Sequence, residues 1–404
     1  GYCLVHLYPA GDSPNPSPTL PMHPVISLCR DLIQIPSVNP EGNPGTHLTG
    51  EAKCASWLAN WIQSHFPSAT VSTPEVLPNR PNIVARFPSD RPNKPRILFA
   101  PHTDTVSIVG MTIDPFGGTV SDGKLWGRGA SDTKGSMASM LWAIHQCRDI
   151  LPHLTHEIWF AGLAGEEAGQ HGAHALAKQQ TFDLVIAGEP TGMNFVHTHK
   201  GSMFLQLKTT GKAVHGAHPE LGINAIYPMA QVLLHVRDSI APWLTSFSDP
   251  ILGHSTINAG TIDGGSKTNI VPDFCTATLD LRLVPSQSGA FKEELFQRLH
   301  GVCPGLEINV QHAPPLFTSP QHPLLQRLQS LGSQPIGAPW FCDAAIFAQN
   351  GSPAIAMGPG SIAQAHTRDE WIATQDLEDS ATFFEKFLRS LAVSYTHLRA
   401  HETR

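Results

Sequence analysis

Four short apolar runs, each ending in a polar or glycine-rich turn, constrain this chain more than any other feature. Ile97-Leu98-Phe99-Ala100 leads into Pro101-His102-Thr103-Asp104, and Ile158-Trp159-Phe160-Ala161 is followed by Gly165-Glu166-Glu167. Leu184-Val185-Ile186-Ala187 leads into Gly188-Glu189-Pro190, and Ala354-Ile355-Ala356-Met357 into Gly358-Pro359-Gly360-Ser361. Unbroken apolar runs of this length, with no polar alternation, read as strands covered on both faces. Helical patterns fall between them. From a start near Lys134, Met140, Leu141 and Ile144 follow Met137 at spacings of three, four and seven, and a small-residue helix runs through Ala173, Leu176 and Ala177. An amphipathic helix carrying Val25, Leu28, Leu32 and Ile33 precedes them all. Buried strands alternating with helices predict an α/β fold, a mostly parallel sheet flanked by helices.

Between about 198 and 312 the pattern changes. Strands are expected over Met203 to Thr209, Cys275 to Leu283 and Leu306 to Gln311, with helices near 223–237 and 289–300. This α+β stretch interrupts the α/β pattern. The reading is a discontinuous catalytic domain, residues 22–197 and 313–392, with a smaller domain inserted at 198–312. The two ends fall outside this plan. Pro9, Pro14, Pro16, Pro18 and Pro21 oppose regular structure in residues 1–21, and Met22 is the natural start of the folded part. The segment Val393 to Arg404, VSYTHLRAHETR, resembles a translated library adapter. Both tails are expected to be non-native or disordered.

Composition narrows the partners. A formal charge of -7 without a long basic run argues against nucleic acid. The apolar runs are far too short to span a bilayer. None of the seven cysteines forms a CxxC pair, so neither a disulfide framework nor a cysteine zinc site is indicated. A reducing cytoplasm is the expected compartment.

The chemistry lies just past the strands. His102 and Asp104, Glu166 and Glu167, Glu189 and His366 all sit beyond strand ends, and Asp132 joins them from the loop Gly127-Arg128-Gly129-Ala130-Ser131-Asp132. In open α/β sheets, sites form beyond the carboxyl ends of the strands. Taken singly, each has a plainer explanation: Asp132 as a helix cap, Glu166-Glu167 as a solvated turn, His102 and Asp104 as structural. Their convergence favours a site. Two imidazoles among several carboxylates suit zinc, cobalt or manganese better than magnesium. One carboxylate shared by two ions roughly 3.5–4 Å apart makes a centre that activates water and polarises a carbonyl, with a further carboxylate as general base.

These residues also carry a resemblance. Pro101-His102-Thr103-Asp104-Thr105, Gly127 to Gly135, Gly165-Glu166-Glu167 and Gly188-Glu189-Pro190-Thr191 resemble the dinuclear metallohydrolases. That family includes acetylornithine deacetylase, succinyl-diaminopimelate desuccinylase, aminoacylase and glutamate carboxypeptidase, and the likeness runs from about 22 to 392. The resemblance implies that His102, Asp132 and Glu189 hold one ion and Asp132, Glu167 and His366 the other. It makes Glu166 the general base and Asp104 the residue that orients His102. The insert is similar to the family's lid and dimerisation domain. His215, in Ala213-Val214-His215-Gly216-Ala217-His218-Pro219, matches the histidine that reaches a partner subunit's site as an oxyanion donor. Asn269 and Arg282 match substrate-carboxylate contacts, and backbone N–H groups around Gly358 and Gly360 are expected to serve the same carboxylate.

The segment Gly358 to His366, with Asp369-Glu370 beyond, is most similar to acetylornithine deacetylase. Phe341-Cys342-Asp343 departs from the Gly-Ser/Thr-Asp common in relatives, leaving the acyl preference open. The expected function is hydrolysis of the amide of a small N-acyl amino acid, N-acetylornithine first, by a homodimer paired through the insert. N-succinyl-diaminopimelate and dipeptides are the alternative substrates, and a metal-binding scaffold is the non-enzyme alternative.

Overall fold

In a computed structural model of the chain, residues 21–287 and 289–392 are described; the expected tails, 1–21 and 393–404, lie outside the described residues except for Pro21. The apolar runs form strands Arg96–Ala100, Glu157–Gly162, Leu184–Ala187 and Ala354–Ala356. Their continuity has a simple cause. Ile97 and Phe99 enter one core with Met140, Phe384 and Phe387, whereas Leu98 and Ala100 enter another with Val185 and Phe347 on the opposite face. Helices Pro24–Ile33, Gly135–Gln146 and Thr374–Ser390 supply the first core, His171–Ala177 and Ala344–Gln349 the second. With helices on both faces, neither side of a strand has reason to be polar.

The sheet runs Thr70–Ser72, Ile83–Arg86, Glu157–Gly162, Arg96–Ala100, Leu184–Ala187, Ala354–Ala356, Phe195–His199, Leu316–Phe317. The central four are parallel to one another. Outside them the pairings turn antiparallel, except that Pro335–Ala338 lies parallel to Phe195–His199. All four central strands therefore end on one edge.

A single residue, Lys200, separates the strand Phe195–His199 from Gly201–Thr210, which belongs to a second sheet. That sheet is antiparallel throughout, in the order Thr256–Gly264, Phe274–Leu283, Gly201–Thr210, Glu307–Ala313. Met203, Leu205 and Leu207 alternate with exposed Phe204, Gln206 and Lys208, so one face packs on helices Ile226–His235 and Phe291–Val302 while the other stays open. The strand Thr256–Gly264 was not anticipated. It is a largely exposed edge strand, and its sequence TINAGTIDG lacks the alternation of a half-buried one.

Among the described residues, no helix is long and apolar enough to cross a membrane. The six described cysteines are free and buried.

Candidate metal centre

His102 stands two residues beyond the strand Arg96–Ala100, Glu189 two beyond Leu184–Ala187, and Glu166 and Glu167 in the turn after Glu157–Gly162. Asp132 arrives from the tight turn Ala130–Lys134, across a cis Asp132–Thr133 peptide, at the entrance to helix Gly135–Gln146. His366 comes from the loop after Ala354–Ala356 and holds a left-handed φ of 59°.

These side chains meet. His102 Nε2 lies 3.0 Å from Asp132 Oδ1 and 4.0 Å from Glu166 Oε2. His366 Nε2 lies 3.2 Å from Asp132 Oδ2 and 3.1 Å from Glu167 Oε2. Asp132 thus turns one oxygen to each imidazole. Donor atoms of His102, Asp132 and Glu167 all fall within 4.8 Å of one another, as do those of His102, Glu166 and Glu189. The implied set Asp132, Glu167, His366 meets directly. The other implied set is met in shifted form, with Glu189 grouped with His102 and Glu166.

The electrostatics call for cations. Burial, and then Glu189, pushes Glu166 well above the usual carboxylate range; burial and Asp132 do the same to Glu189. Glu167 is pushed up to about 7 by burial and by Asp132. Burial works against the ionised form of Asp132 too, but hydrogen bonds from His102 and His366 outweigh it and hold its carboxyl low. Glu167 Oε1 is buried with no protein partner. Buried carboxylates in excess of nearby cations, an orphaned oxygen and two imidazoles make a donor set that fits divalent ions of the zinc type.

The supporting contacts reach beyond expectation. His102 Nδ1 lies 2.9 Å from the Asp104 carbonyl oxygen and 3.5 Å from its carboxylate. That carboxylate accepts from Asn39 Nδ2 at 2.8 Å and from the backbone N–H groups of Glu166 and Glu167 at 3.1 Å. Asp104 therefore fixes the Glu166–Glu167 turn as well as His102. Gly358 needs correction as a substrate contact, because its N–H is already donated to Thr191 Oγ1 at 3.2 Å. It is glycine because a Cβ there would lie 2.1 Å from Ser136 Oγ and 2.7 Å from the Glu189 carbonyl. Gly360 has a φ of 79° and accepts from the Gly192 N–H at 2.8 Å.

Asp132, Glu166, Glu167, Glu189 and His366 line a cavity of about 330 Å³ whose remaining wall includes Arg282, Trp340, Phe341 and Ile362. Trp340 and Ile362 also wall an adjoining cavity of about 310 Å³, formed with Pro190, Val196, Ile336 and Gly360, and no charged side chain lines it. Cys342 lines neither; it is buried in the sheet's second core, and Phe341 faces the centre instead. Arg282 reaches the cavity from the second sheet's open face, 3.1 Å from Asp280. His215 and Asn269 do not line it. They lie side by side on the exposed surface of the insert, where the Gly216 N–H donates to the Asn269 carbonyl at 2.7 Å and His215 pairs with Ile270.

Three features that the sequence does not single out belong here: Asn39 beside Asp104, Asp343, and Glu370 with Arg128. Asp343 is buried, accepts from Gln170 Nε2 at 3.3 Å on one oxygen and has no partner on the other. Arg128 and Asp343 lie inside sequence motifs of the site, but nothing in their spacing marks them out. Glu370 follows the Gly358–His366 segment that carries the resemblance, without a role of its own there, and Asn39 has no local signal at all.

A parallel sheet that delivers imidazoles and carboxylates to one edge suits a metal-dependent hydrolase. The sequence model of "Peptidase family M20/M25/M40" matches residues 98–390. Acetylornithine deacetylase of Proteus mirabilis (strain HI4320) is 30% identical over 386 residues, 91% of this chain and 97% of that one. The same enzyme of Pectobacterium carotovorum is 31% identical over 367 residues, 87% and 94% of the two chains. Among solved structures, an M20 family metallo-carboxypeptidase of Sulfolobus solfataricus shares the fold at TM-score 0.72 and 18% identity, covering 92% of this chain and 100% of that one. A dinuclear metal-binding M20 peptidase of Bacillus subtilis does so at 0.65 and 14%, covering 91% and 97%. The chain belongs to peptidase family M20/M25/M40 and resembles acetylornithine deacetylase within it.

Proposed function

We propose that this protein hydrolyses the amide bond of a small N-acyl amino acid, with N-acetylornithine as the leading substrate. The observation that carries the reading is the placement of Glu166, a largely buried carboxylate pushed towards its protonated form, beside His102 and Glu189 in a cluster where Asp132 turns one oxygen to each imidazole. His102, Asp132, Glu167, Glu189 and His366 would hold two divalent ions, zinc first and cobalt or manganese otherwise; when bound, they supply a Lewis acid for the scissile carbonyl and an acidified water. Glu166 takes the proton from the attacking water and returns it to the leaving amine. Arg282 faces the substrate carboxylate from the open sheet. His215, with Asn269 beside it, serves the site of a second copy, where the imidazole donates to the developing oxyanion. Support for a homodimer through the insert, residues 198–312, comes from its exposed Leu221, Ile223, Tyr227 and Ile262. The bacterial relatives carry the name acetylornithine deacetylase, which supports the acyl group and the amine.

A second reading rests on one observation. Neither cavity beside the centre is lined by a carboxylate outside the ligand set and Glu166, so a substrate ammonium finds no dedicated partner, whereas Trp340, Phe341 and Ile336 suit an apolar group. On this reading the substrate is an N-acyl amino acid with an apolar side chain. Turnover of N-acetylornithine, N-acetylmethionine, N-succinyl-diaminopimelate and a dipeptide by zinc- or cobalt-loaded protein separates the readings. The proposal expects chelator-sensitive cleavage of at least one N-acyl amino acid. Metal uptake with no turnover on the whole panel would overturn it.

A further inference from the structure

We infer that Arg128 and Glu370 form a buried clamp that sets Asp132 and His366 at the spacing required by the ion these two ligands share; this rests on the metal-hydrolase reading. Glu370 is wholly buried and accepts four hydrogen bonds. One oxygen takes Arg128 Nη1 and the Gly129 N–H, both at 2.9 Å. The other takes the Ser131 N–H at 2.8 Å and the Asp132 N–H at 2.9 Å. The carboxylate is thereby filled by the turn that carries Asp132, and Arg128 balances its charge, so Glu370 does not compete with the ligands for an ion.

Arg128, itself buried, continues the connection. Its Nη1 also donates to the carbonyl of Thr367, the residue after His366, at 3.1 Å, and its Nε to the Ser107 carbonyl at 3.0 Å. Ser131 Oγ adds a bond to the Trp371 carbonyl at 2.8 Å. Two ligand-bearing segments that are remote in sequence are thus tied through one ion pair.

His366 needs such a tie. Its side chain is 58% exposed, so packing does not fix it, and its φ of 59° is one that a non-glycine residue keeps only where its surroundings impose it. His102 and Glu189 need it less, because each is set by a strand two residues away. The clamp therefore acts on both ions through Asp132, and on the ion held by His366 more than on the other. Arg128 and Glu370 are positioning residues: both are buried and neither lines the cavities beside the centre.

The test is cobalt(II) titration of the full chain, followed by visible absorption and chelator competition, on wild type, Glu370→Gln, Arg128→Lys and His366→Ala. Glutamine keeps the bulk of Glu370 but turns an NH₂ group toward two of the four donors. Lysine keeps the charge of Arg128 but cannot hold Thr367, Ser107 and Glu370 together. Wild type is expected to take up two ions. Each clamp variant should bind the ion held by His366 about 10- to 100-fold more weakly and the other ion with a smaller loss, with the absorption component that His366→Ala removes lost first. Wild-type affinity for both ions in either folded variant overturns the clamp. So does equal weakening of both ions with a lowered Tm, which marks a merely structural pair. If Glu370→Gln does not fold, Arg128→Lys decides alone. A wild-type chain that binds no cobalt overturns the metal reading itself, and is seen before any variant is compared.

Discussion

The strand-end cluster and the outer surface of the insert are built on opposite terms. His102, Asp132 and Glu189 are buried, and two further carboxylates, Asp104 and Glu370, hold the turns that carry Glu166, Glu167 and Asp132. His215 and Asn269 are exposed, and the one hydrogen bond found for the His215 ring is from the nearby Ala217 N–H at 3.1 Å. A side chain held only by its own turn is not pre-organised for chemistry in its own chain. The first region is held by buried contacts from within its own chain, whereas His215 and Asn269 in the second are not.

The sharpest way to break this comparison is at Glu166. Glu166→Ala should lower kcat by about 10²- to 10⁴-fold while metal content, read by elemental analysis, stays at the wild-type level. Loss of an ion instead would make Glu166 a ligand, in line with its grouping with His102 and Glu189. His215→Ala tests the other region: kcat is expected to fall about 10²- to 10³-fold, with metal affinity unchanged. Mixing the two inactive variants should then restore activity, since one site of the mixed dimer has both an intact Glu166 and an intact His215. If mixing restores none, His215 does not cross between copies.

Arg282 joins the two regions, being rooted in the second sheet and facing the cavity of the first. Arg282→Met should raise KM about 10- to 100-fold with kcat little changed, the loss expected for a hydrogen bond to a charged group. An equal fall in kcat and kcat/KM would place Arg282 in the transition state instead.

The smallest expected effect on catalysis is at the junction. His199, the last residue before the chain changes sheets, is fully buried, its Nε2 is unpartnered, and burial pushes its pKa down to about 4. The unfolded chain binds a proton there between pH 6.5 and 4 and the folded chain does not. His199 thus contributes stability that is full above about pH 6.5 and is lost as pH falls towards 4, by at most about 3 kcal/mol. Urea midpoints of wild type should fall more steeply from pH 7 to 4.5 than those of His199→Gln. Parallel slopes would count against the buried neutral imidazole.

Much of this was legible in the chain. The runs at 97–100, 158–161, 184–187 and 354–357 each became a central strand within a residue or two, because a sheet covered on both faces leaves the middle of its strands little but apolar side chains. Ligands a few residues past those strands inherited their position from them. The edge strand Thr256–Gly264 was illegible because its exposed side chains are under no such constraint.

The sequence by itself determined which segments are buried and which polar groups stand at their ends, since burial leaves a periodic record over a few neighbouring residues. Only the tertiary structure decided what those groups touch. Glu370 meets the Asp132 N–H across 238 residues, the Gly358 N–H is consumed by Thr191 across 167, and Phe341 rather than Cys342 faces the centre. Contacts between distant loops depend on how the sheet brings strand ends together, and no local pattern of residue types encodes that geometry.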